Sequence, residues 1–187
     1  GGDVRIDGLN GGLTLFTGYA GGAVFQSTNT AVRYYGLVLN NLLISNTNRA
    51  TAGGIGVNLT NVTLSRLYNV SVNDAAIGIR FEGTGGGSYY NEVYGATITR
   101  TGQGLTFGNG ANENKVFGGR ITDTTLRCMD FEGSQTNNSV FGTSCESFVT
   151  GVSVGTTAAT YSAKFIGMRM ESGTNAFDLR ANAVNTA

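Results

Sequence analysis

Five charged residues occupy nearly the same place after an aromatic residue, and their side chains are the first candidates for chemistry. They are Asp74, Arg100, Asp123, Glu146 and Glu171, each five or six residues after a Tyr or Phe. Equivalent residues of neighbouring strands lie about 4.8 Å apart. The two carboxyl groups of glycosidases lie about 5–5.5 Å apart in retaining enzymes and about 6.5–9.5 Å apart in inverting ones. We therefore predict one charged column, with Glu146, Glu171 and Asp123 as catalytic candidates and Arg100 as a substrate-binding candidate.

The same column has a simpler interpretation. Strand ends face solvent and accept charged residues freely, so Arg100 between Asp74 and Asp123 would form a surface ion-pair ladder. Such pairs contribute about 0–1 kcal/mol each. A catalytic column would instead need one carboxyl with a raised pKa, which stacked like charges produce.

Two further sets of side chains are candidates for binding a sugar. Asp130 and Glu132 flank Phe131 and should point outward together, because side chains alternate along a strand. Tyr89 and Tyr90 stand where a repeat begins, and their rings would offer flat faces to a sugar. The alternatives are a solvated strand face for the two carboxylates, and packing against a turn or a neighbouring subunit for the tyrosines.

A repeat of about 24 residues positions these side chains. Its register runs NEVYGATITR, NKVFGGRITD, NSVFGTSCES and SAKFIGMRMES, starting at Asn91, Asn114, Asn138 and Ser162, with spacings of 23, 24 and 24 residues. A fixed period of this length is typical of solenoid proteins, in which each repeat stacks on the next.

Two columns of the repeat predict its conformation. One column should be a left-handed corner, because Asn and Gly tolerate that backbone best; it comprises Asn41, Asn69, Gly95, Gly118 and Gly142. The other should be an inner apolar ladder; it comprises Phe81, Phe107, Phe131, Val154 and Leu179. We predict an all-β chain, a right-handed single-stranded parallel β-helix with coils of about 23–28 residues.

Composition restricts the function and the domain organisation. The chain has a formal net charge of zero, which gives no electrostatic case for nucleic acid, and no apolar run long enough for membrane insertion. We expect irregular coils or a cap over 1–36 and a regular β-helix over 37–187, truncated at its C-terminal end. Without an initiator Met, we expect a fragment or a processed product. No residue pattern indicates a metal or a cofactor.

The two cysteines, Cys128 and Cys145, stand at different points of the repeat. We interpret them as small buried apolar residues rather than a disulfide pair, which fits assembly in a reducing compartment.

With these repeats in view, residues 37–182 resemble the right-handed parallel β-helix of the pectate-lyase-like superfamily. The recurring Asn-x-Val-Phe-Gly step and the coil ends FEG and RMES resemble phage tailspikes and tail fibres. The resemblance implies a homotrimer, joined to other virion tail proteins, that binds and often cleaves bacterial surface polysaccharide. It also implies assembly in the host cytoplasm and a place on the virion tail, outside the cell after release.

The resemblance does not extend to known catalytic motifs. The Asn-Thr-Asp, Asp-Asp, Gly-His-Gly and Arg-Ile-Lys elements of polygalacturonases are absent, and the chain has no His. Three functions therefore stay open. The first is recognition of a bacterial polysaccharide, with hydrolysis by paired carboxylates as a depolymerase undecided. The second is a non-catalytic structural or receptor-binding trimeric shaft, which short, regular repeats favour. The third is an extracellular polysaccharide lyase.

Overall fold

The described part of the chain consists of β-strands, most of them short, joined by turns, and contains no helix. The computed structural model describes residues 4–8, 13–17, 22–26, 33–46 and 54–184. Its strands are β1 Arg5–Asp7, β2 Leu13–Thr17, β3 Ala23–Gln26, β4 Tyr34–Tyr35, β5 Val38–Asn40, β6 Leu42–Asn46, β7 Ile55–Thr60, β8 Val62–Thr63, β9 Arg66–Tyr68, β10 Ser71–Asn73, β11 Ile77–Glu82, β12 Ser88–Tyr89, β13 Glu92–Tyr94, β14 Thr97–Thr99, β15 Gln103–Phe107, β16 Ala111–Asn112, β17 Lys115–Phe117, β18 Arg120–Phe131, β19 Gln135–Thr136, β20 Ser139–Phe141, β21 Ser144–Val154, β22 Thr160–Tyr161, β23 Lys164–Ile166, β24 Arg169–Leu179 and β25 Ala183–Val184.

These strands form three parallel sheets that wrap one interior. Sheet A has the order β1-β5-β9-β13-β17-β20-β23, and sheet C has the order β25-β22-β19-β16-β12-β8-β4. Sheet B contains two half-sheets, β2-β6-β10-β14 and β3-β7-β11-β15, which the long strands β18, β21 and β24 join into one. One coil therefore passes through sheet A, sheet B and sheet C in turn, and the next coil stacks on it.

The stacking confirms the predicted fold class. Hydrogen-bonded equivalent residues of successive coils are 28, 26, 23 and 24 positions apart. The molecule is an all-β parallel β-solenoid of about six turns. Because each strand pairs with the strands of adjacent coils, the backbone polar groups of one coil are satisfied by its neighbours.

The predicted inner ladder lies in register in sheet B. Phe81, Phe107, Phe131, Val154 and Leu179 are successive partners. The three phenylalanines are fully buried, and their rings stack with centroids 5.0 and 4.5 Å apart. Leu179 belongs to the last coil described and is 60% exposed.

The predicted left-handed column is confirmed between sheet A and sheet B. Its φ angles are +53°, +50°, +64°, +62° and +64° for Asn41, Asn69, Gly95, Gly118 and Gly142. We call this column, together with Gly167 at +63°, the first corner. Its residue types follow from the backbone, since Asn and Gly adopt this conformation at the lowest cost.

A buried asparagine ladder begins each repeat. Asn91, Asn114 and Asn138 are fully buried. The Nδ2 of Asn91 donates to Oδ1 of Asn114 at 2.9 Å, and the Nδ2 of Asn114 donates to Oδ1 of Asn138 at 3.0 Å. The predicted start of the fourth repeat at Ser162 was wrong by one residue, because Ser139 pairs with Lys164 and so makes Ala163 the equivalent of Asn138. An alanine cannot continue the amide ladder, which therefore ends there.

The cysteines are buried as predicted, but the interpretation that they do not form a disulfide pair was wrong, because Cys128 and Cys145 are joined with their Cα atoms 6.1 Å apart. A column of glycines explains the pairing: a Cβ on Gly78 would touch Ile98, and one on Gly104 would touch Ile121. Cys128 and Cys145 take the equivalent two places one coil later, so different points of the repeat meet inside the solenoid. A crosslink between residues 17 positions apart in the sequence stabilises the fold by about 3 kcal/mol in the chain-entropy account.

Candidate functional site

The predicted charged column is two columns in the structure. Glu146 pairs with Thr122 of the preceding coil and with Glu171 of the next, on the outer side of sheet B. Asp74, Arg100 and Asp123 lie one residue further along, at a left-handed corner with φ between +52° and +60°. We call this the second corner; its members are Asp74, Arg100, Asp123, Ser147 and Ser172. The single column was wrong because the spacing from the aromatic residue changes after Phe141, and because Phe165 pairs with Val140 rather than with Phe141.

The two glutamates that share a column both have a guanidinium partner. Arg120 donates to Oε2 of Glu146 from Nη2 at 2.6 Å and from Nε at 3.1 Å, and Ser144 donates to Oε1 at 2.9 Å. The hydrogen bonds from Arg120 and Ser144 hold the pKa of Glu146 below its usual value. Glu171 pairs with Arg169 of its own strand. A lowered pKa makes Glu146 a poor proton donor near neutral pH.

At the second corner the charges form an ion pair. Arg100 donates to both carboxylate oxygens of Asp74, at 2.7 and 2.8 Å, and the carboxylate of Asp123 adds to the electrostatic stabilisation that raises the pKa of Arg100. Bidentate pairs of this kind are geometrically specific, yet exposed ones add little stability.

Asp130 does not lie on a solvated strand face. Its side chain is fully buried and accepts hydrogen bonds from Gln103 at 3.0 Å, Arg127 at 2.9 Å and Thr156 at 2.6 Å. Burial raises its pKa, although the hydrogen bonds and charge of Thr156 and Arg127 oppose the shift. The carboxylate is thus an anchor inside the outer layer of sheet B, because these three donors surround it.

Glu132 lies beside Asp130 and belongs to a shared ion cluster. The Nη2 of Arg80 lies 2.8 Å from Oε1 of Glu82 and 3.6 Å from Oε1 of Glu132. Gly108 occupies the position between the two glutamates and leaves room for the guanidinium to reach both. Burial and the charge of Asp130 raise the pKa of Glu132. We call Arg80, Glu82, Asp130 and Glu132 the sheet B cluster.

The predicted tyrosine pair lies at a third left-handed column, between sheet C and sheet A. Tyr90 has φ of +56° and is 50% exposed, and Leu64, its neighbour in the preceding coil, has φ of +58° and is 53% exposed. We call this column the tyrosine corner; its members are Gly36, Leu64, Tyr90, Glu113, Asn137 and Ser162. A bulky residue at positive φ is an outlier, and such strain is found disproportionately at functional sites.

A buried hydroxyl lies beneath this corner. Thr63 is 3% exposed, stands between Tyr35 and Tyr89 in sheet C, and its Oγ1 has no hydrogen-bond partner in the described structure. Tyr35 is 54% exposed, while the ring of Tyr89 lies 4.5 Å from the guanidinium carbon of Arg33. Tyr89 and Tyr90 meet edge to face at 6.4 Å. The corner therefore combines exposed rings with an unused polar group.

Sequence reasoning identified Tyr89 and Tyr90 but missed Leu64 and Thr63. The signal was present in the repeat, since Leu64 and Tyr90 occupy a column that also contains Gly36, Asn137 and Ser162, which are residue types typical of turns. Recognising it required knowing that this column is left-handed, and the mixture of residue types conceals that property.

The described residues contain no group of three Cys, Asp or Glu side chains arranged to hold a metal ion. They also contain no helix that could cross a membrane. No family model matches the sequence, and no curated protein or solved structure is significantly similar to it. A functional proposal therefore depends on the geometry of the chain itself.

Proposed function

We propose that this chain is a section of a β-helical virion tail protein that binds a bacterial surface polysaccharide at the tyrosine corner. The observation that carries the proposal is the pair of half-exposed bulky residues, Leu64 and Tyr90, held in a left-handed backbone that neither favours. The solenoid fold and the resemblance to tailspikes support the virion role and the pectate-lyase-like ancestry.

The chemistry of the corner suits a sugar. Carbohydrate sites combine aromatic surfaces with a few placed polar groups. Tyr35 and Tyr90 offer rings with hydroxyl tips, and the Oγ1 of Thr63 beneath them has no hydrogen-bond partner among the described residues. Filling an unused hydrogen-bonding position adds binding free energy of about 0.5–1.5 kcal/mol.

The environment of Glu146 and Glu171, which were predicted to be catalytic, does not suit cleavage of a glycan at their column. Glu146 and Glu171 are each neutralised by an arginine, and the pKa of Glu146 is lowered. A glycosidase needs one carboxyl that stays protonated near the working pH.

The test is glycan binding by three asparagine variants of the intact protein. Tyr90→Asn and Leu64→Asn keep a residue that tolerates positive φ, so the corner should stay folded. We expect each to weaken binding to a panel of capsular and O-antigen polysaccharides by about tenfold or more. Leu126→Asn is the matched control, because Leu126 is 55% exposed on sheet B. Wild-type affinity in Tyr90→Asn and Leu64→Asn would overturn the proposal. Failure of the intact protein to bind any glycan would overturn it in favour of a structural shaft.

A second candidate function is hydrolysis of the bound glycan at the sheet B cluster. The observation that favours it is Arg80, which brings the carboxylates of Glu82 and Glu132 to one guanidinium while the pKa of Glu132 is raised. Glu132 would then act as the general acid and Glu82 as its partner. New reducing ends that disappear in Glu132→Gln, while glycan binding remains, would support this activity. Unsaturated product ends would indicate a lyase.

A further inference from the structure

The outer face of sheet A carries two straight columns of side chains. The ring column contains Tyr68, Tyr94, Phe117 and Phe141, stacked with centroids 4.9 to 5.1 Å apart. A second column, which we call the lysine column, runs beside it and pairs in register; it contains Arg66, Glu92, Lys115, Ser139 and Lys164. This face borders the tyrosine corner, since Tyr90 lies two residues before Glu92.

The two halves of the lysine column differ in whether their charges form ion pairs. Glu92 accepts hydrogen bonds from Arg66 at 3.2 Å and from the hydroxyl of Tyr94 at 3.0 Å. Lys115 and Lys164 have no carboxylate within ion-pair distance among the described residues, whereas nearly every arginine there has one. Both lysines are exposed. The first half is thus neutral, and the second half carries unused positive charge.

The ring column adds to the positive potential of this face. Its rings are nearly parallel, at 8° to 13° to one another, so each covers its neighbour's face and turns an edge outward. The edge of an aromatic ring carries partial positive charge. Phe117 and Phe141 therefore add an apolar, weakly electropositive border along the two lysines.

The spacing of the lysines suggests a repeating ligand. Ser139 lies between them in register and is only 6% exposed, so two strand spacings, about 9.6 Å, separate the backbone positions of the two lysines with little side chain between. That distance is about the length of one disaccharide unit of an extended polysaccharide.

From these observations we infer that the polysaccharide is anionic, carries one carboxylate per disaccharide, and runs along the solenoid from the tyrosine corner across Lys115 and Lys164. The inference rests on the proposed function and names its ligand class. Glu113 of the tyrosine corner has no ion pair among the described residues and lies two positions before Lys115. Its charge opposes that of the ligand.

The probe is hyaluronan of defined length, which has one carboxylate per disaccharide, and the control is the same polymer with its carboxylates reduced to alcohols. We expect the intact protein to bind hyaluronan about tenfold or more tightly than the reduced polymer. Raising the salt from about 0.05 to about 0.2 M should weaken only the first complex, because salt screens exposed charges.

Three variants test the residues. The double change Lys115→Gln with Lys164→Gln should remove the preference for hyaluronan, the matched change of both to Arg should keep it, and Glu113→Gln should strengthen it. Equal binding of both polymers, lost in Tyr90→Asn, would overturn this inference and leave the proposed function standing. Binding of polyglutamate as tight as that of hyaluronan would overturn it in favour of an acidic protein partner. Failure to bind either polymer would overturn the inference, and the polysaccharide panel then decides the proposed function separately.

Discussion

The first corner and the tyrosine corner have the same backbone but different residues. Each has six left-handed residues in the described part of the chain, and at both corners the N–H of the corner residue donates to a carbonyl of the next coil. The first corner uses only Asn and Gly, whereas the tyrosine corner includes Leu64, Tyr90 and Glu113. Since the shared geometry does not require bulky residues, the backbone of the corner does not explain Leu64 and Tyr90.

The residues next to each corner explain how the strain is tolerated. The asparagine ladder comes one residue after the tyrosine corner: Ser65 N donates to Oδ1 of Asn91, and Asn91 N donates to Oδ1 of Asn114, both at 3.0 Å. At the first corner, Asn69 donates to Asn41 at 3.2 Å, and this amide contact is exposed. Strained residues persist where the surroundings over-determine them.

Removing the asparagine ladder beside the tyrosine corner should have the largest effect on the free energy of unfolding. Asn91→Ala leaves the N–H of Ser65 and the carbonyl of Val62 without their buried partners. At about 1–3 kcal/mol for each unsatisfied buried group, we expect a loss of about 3–5 kcal/mol in the free energy of unfolding. Urea denaturation measures it, with Asn69→Ala at the first corner as the control. A loss in Asn91→Ala no larger than in the control would contradict the role given to the ladder.

Placing a bulky residue at the first corner is the next test. A Cβ on Gly118 would meet no atom within 4 Å, so Gly118→Val adds backbone strain without a clash. We expect a loss of about 1–2 kcal/mol, because that is the cost of the left-handed conformation for such a residue. Gly118→Asn should cost clearly less in the same thermal unfolding experiment. Equal losses would show that backbone strain is not the cause.

Relieving the strain at the tyrosine corner should have the opposite sign. Leu64→Asn is expected to stabilise the protein by about 0.5–1 kcal/mol while it weakens glycan binding. The exposed Leu126 of β18 is not among the residues with positive φ, so Leu126→Asn should bring no such gain. Destabilisation by Leu64→Asn would mean that Leu64 serves the fold.

A pH series should separate the sheet B cluster from both corners, with the smallest effect. The folded-state pKa of Glu132 is raised by burial, so the native state binds the proton more tightly than the unfolded state does. Its contribution to the free energy of unfolding is therefore present below the unfolded-state pKa and decreases as the pH rises through the folded-state pKa.

Urea denaturation between about pH 4 and pH 7 should show a flatter profile for Glu132→Gln than for the wild type. Glycan binding at the tyrosine corner should be the same in both proteins. An unchanged stability profile would contradict the raised pKa, and altered binding would place Glu132 in the glycan site.

Local patterns in the sequence predicted much of the fold and part of the candidate site. The Asn and Gly column predicted the first corner because few residues adopt positive φ. Tyr89 and Tyr90 were identified because they are aromatic residues at the start of a repeat. The predicted single column of Asp74, Arg100, Asp123, Glu146 and Glu171 failed because its last two members lie five residues, not six, after Phe141 and after Ile166, the residue that pairs with Phe141. A shift of one position moves a side chain to another face.

The sequence by itself determined the period, the parallel solenoid, the inner phenylalanines and the first corner, since each depends on residue types that recur along the chain. Only the tertiary structure decided which recurrences meet. In the structure Cys128 and Cys145 form a disulfide inside the solenoid, Asp130 is buried among hydrogen-bond donors, and Glu146 forms an ion pair with Arg120. The disulfide depends on the cross-section of the coil, because its two residues differ in repeat position and meet inside the solenoid. The other two contacts depend on which strands of sheet B are neighbours and on their register.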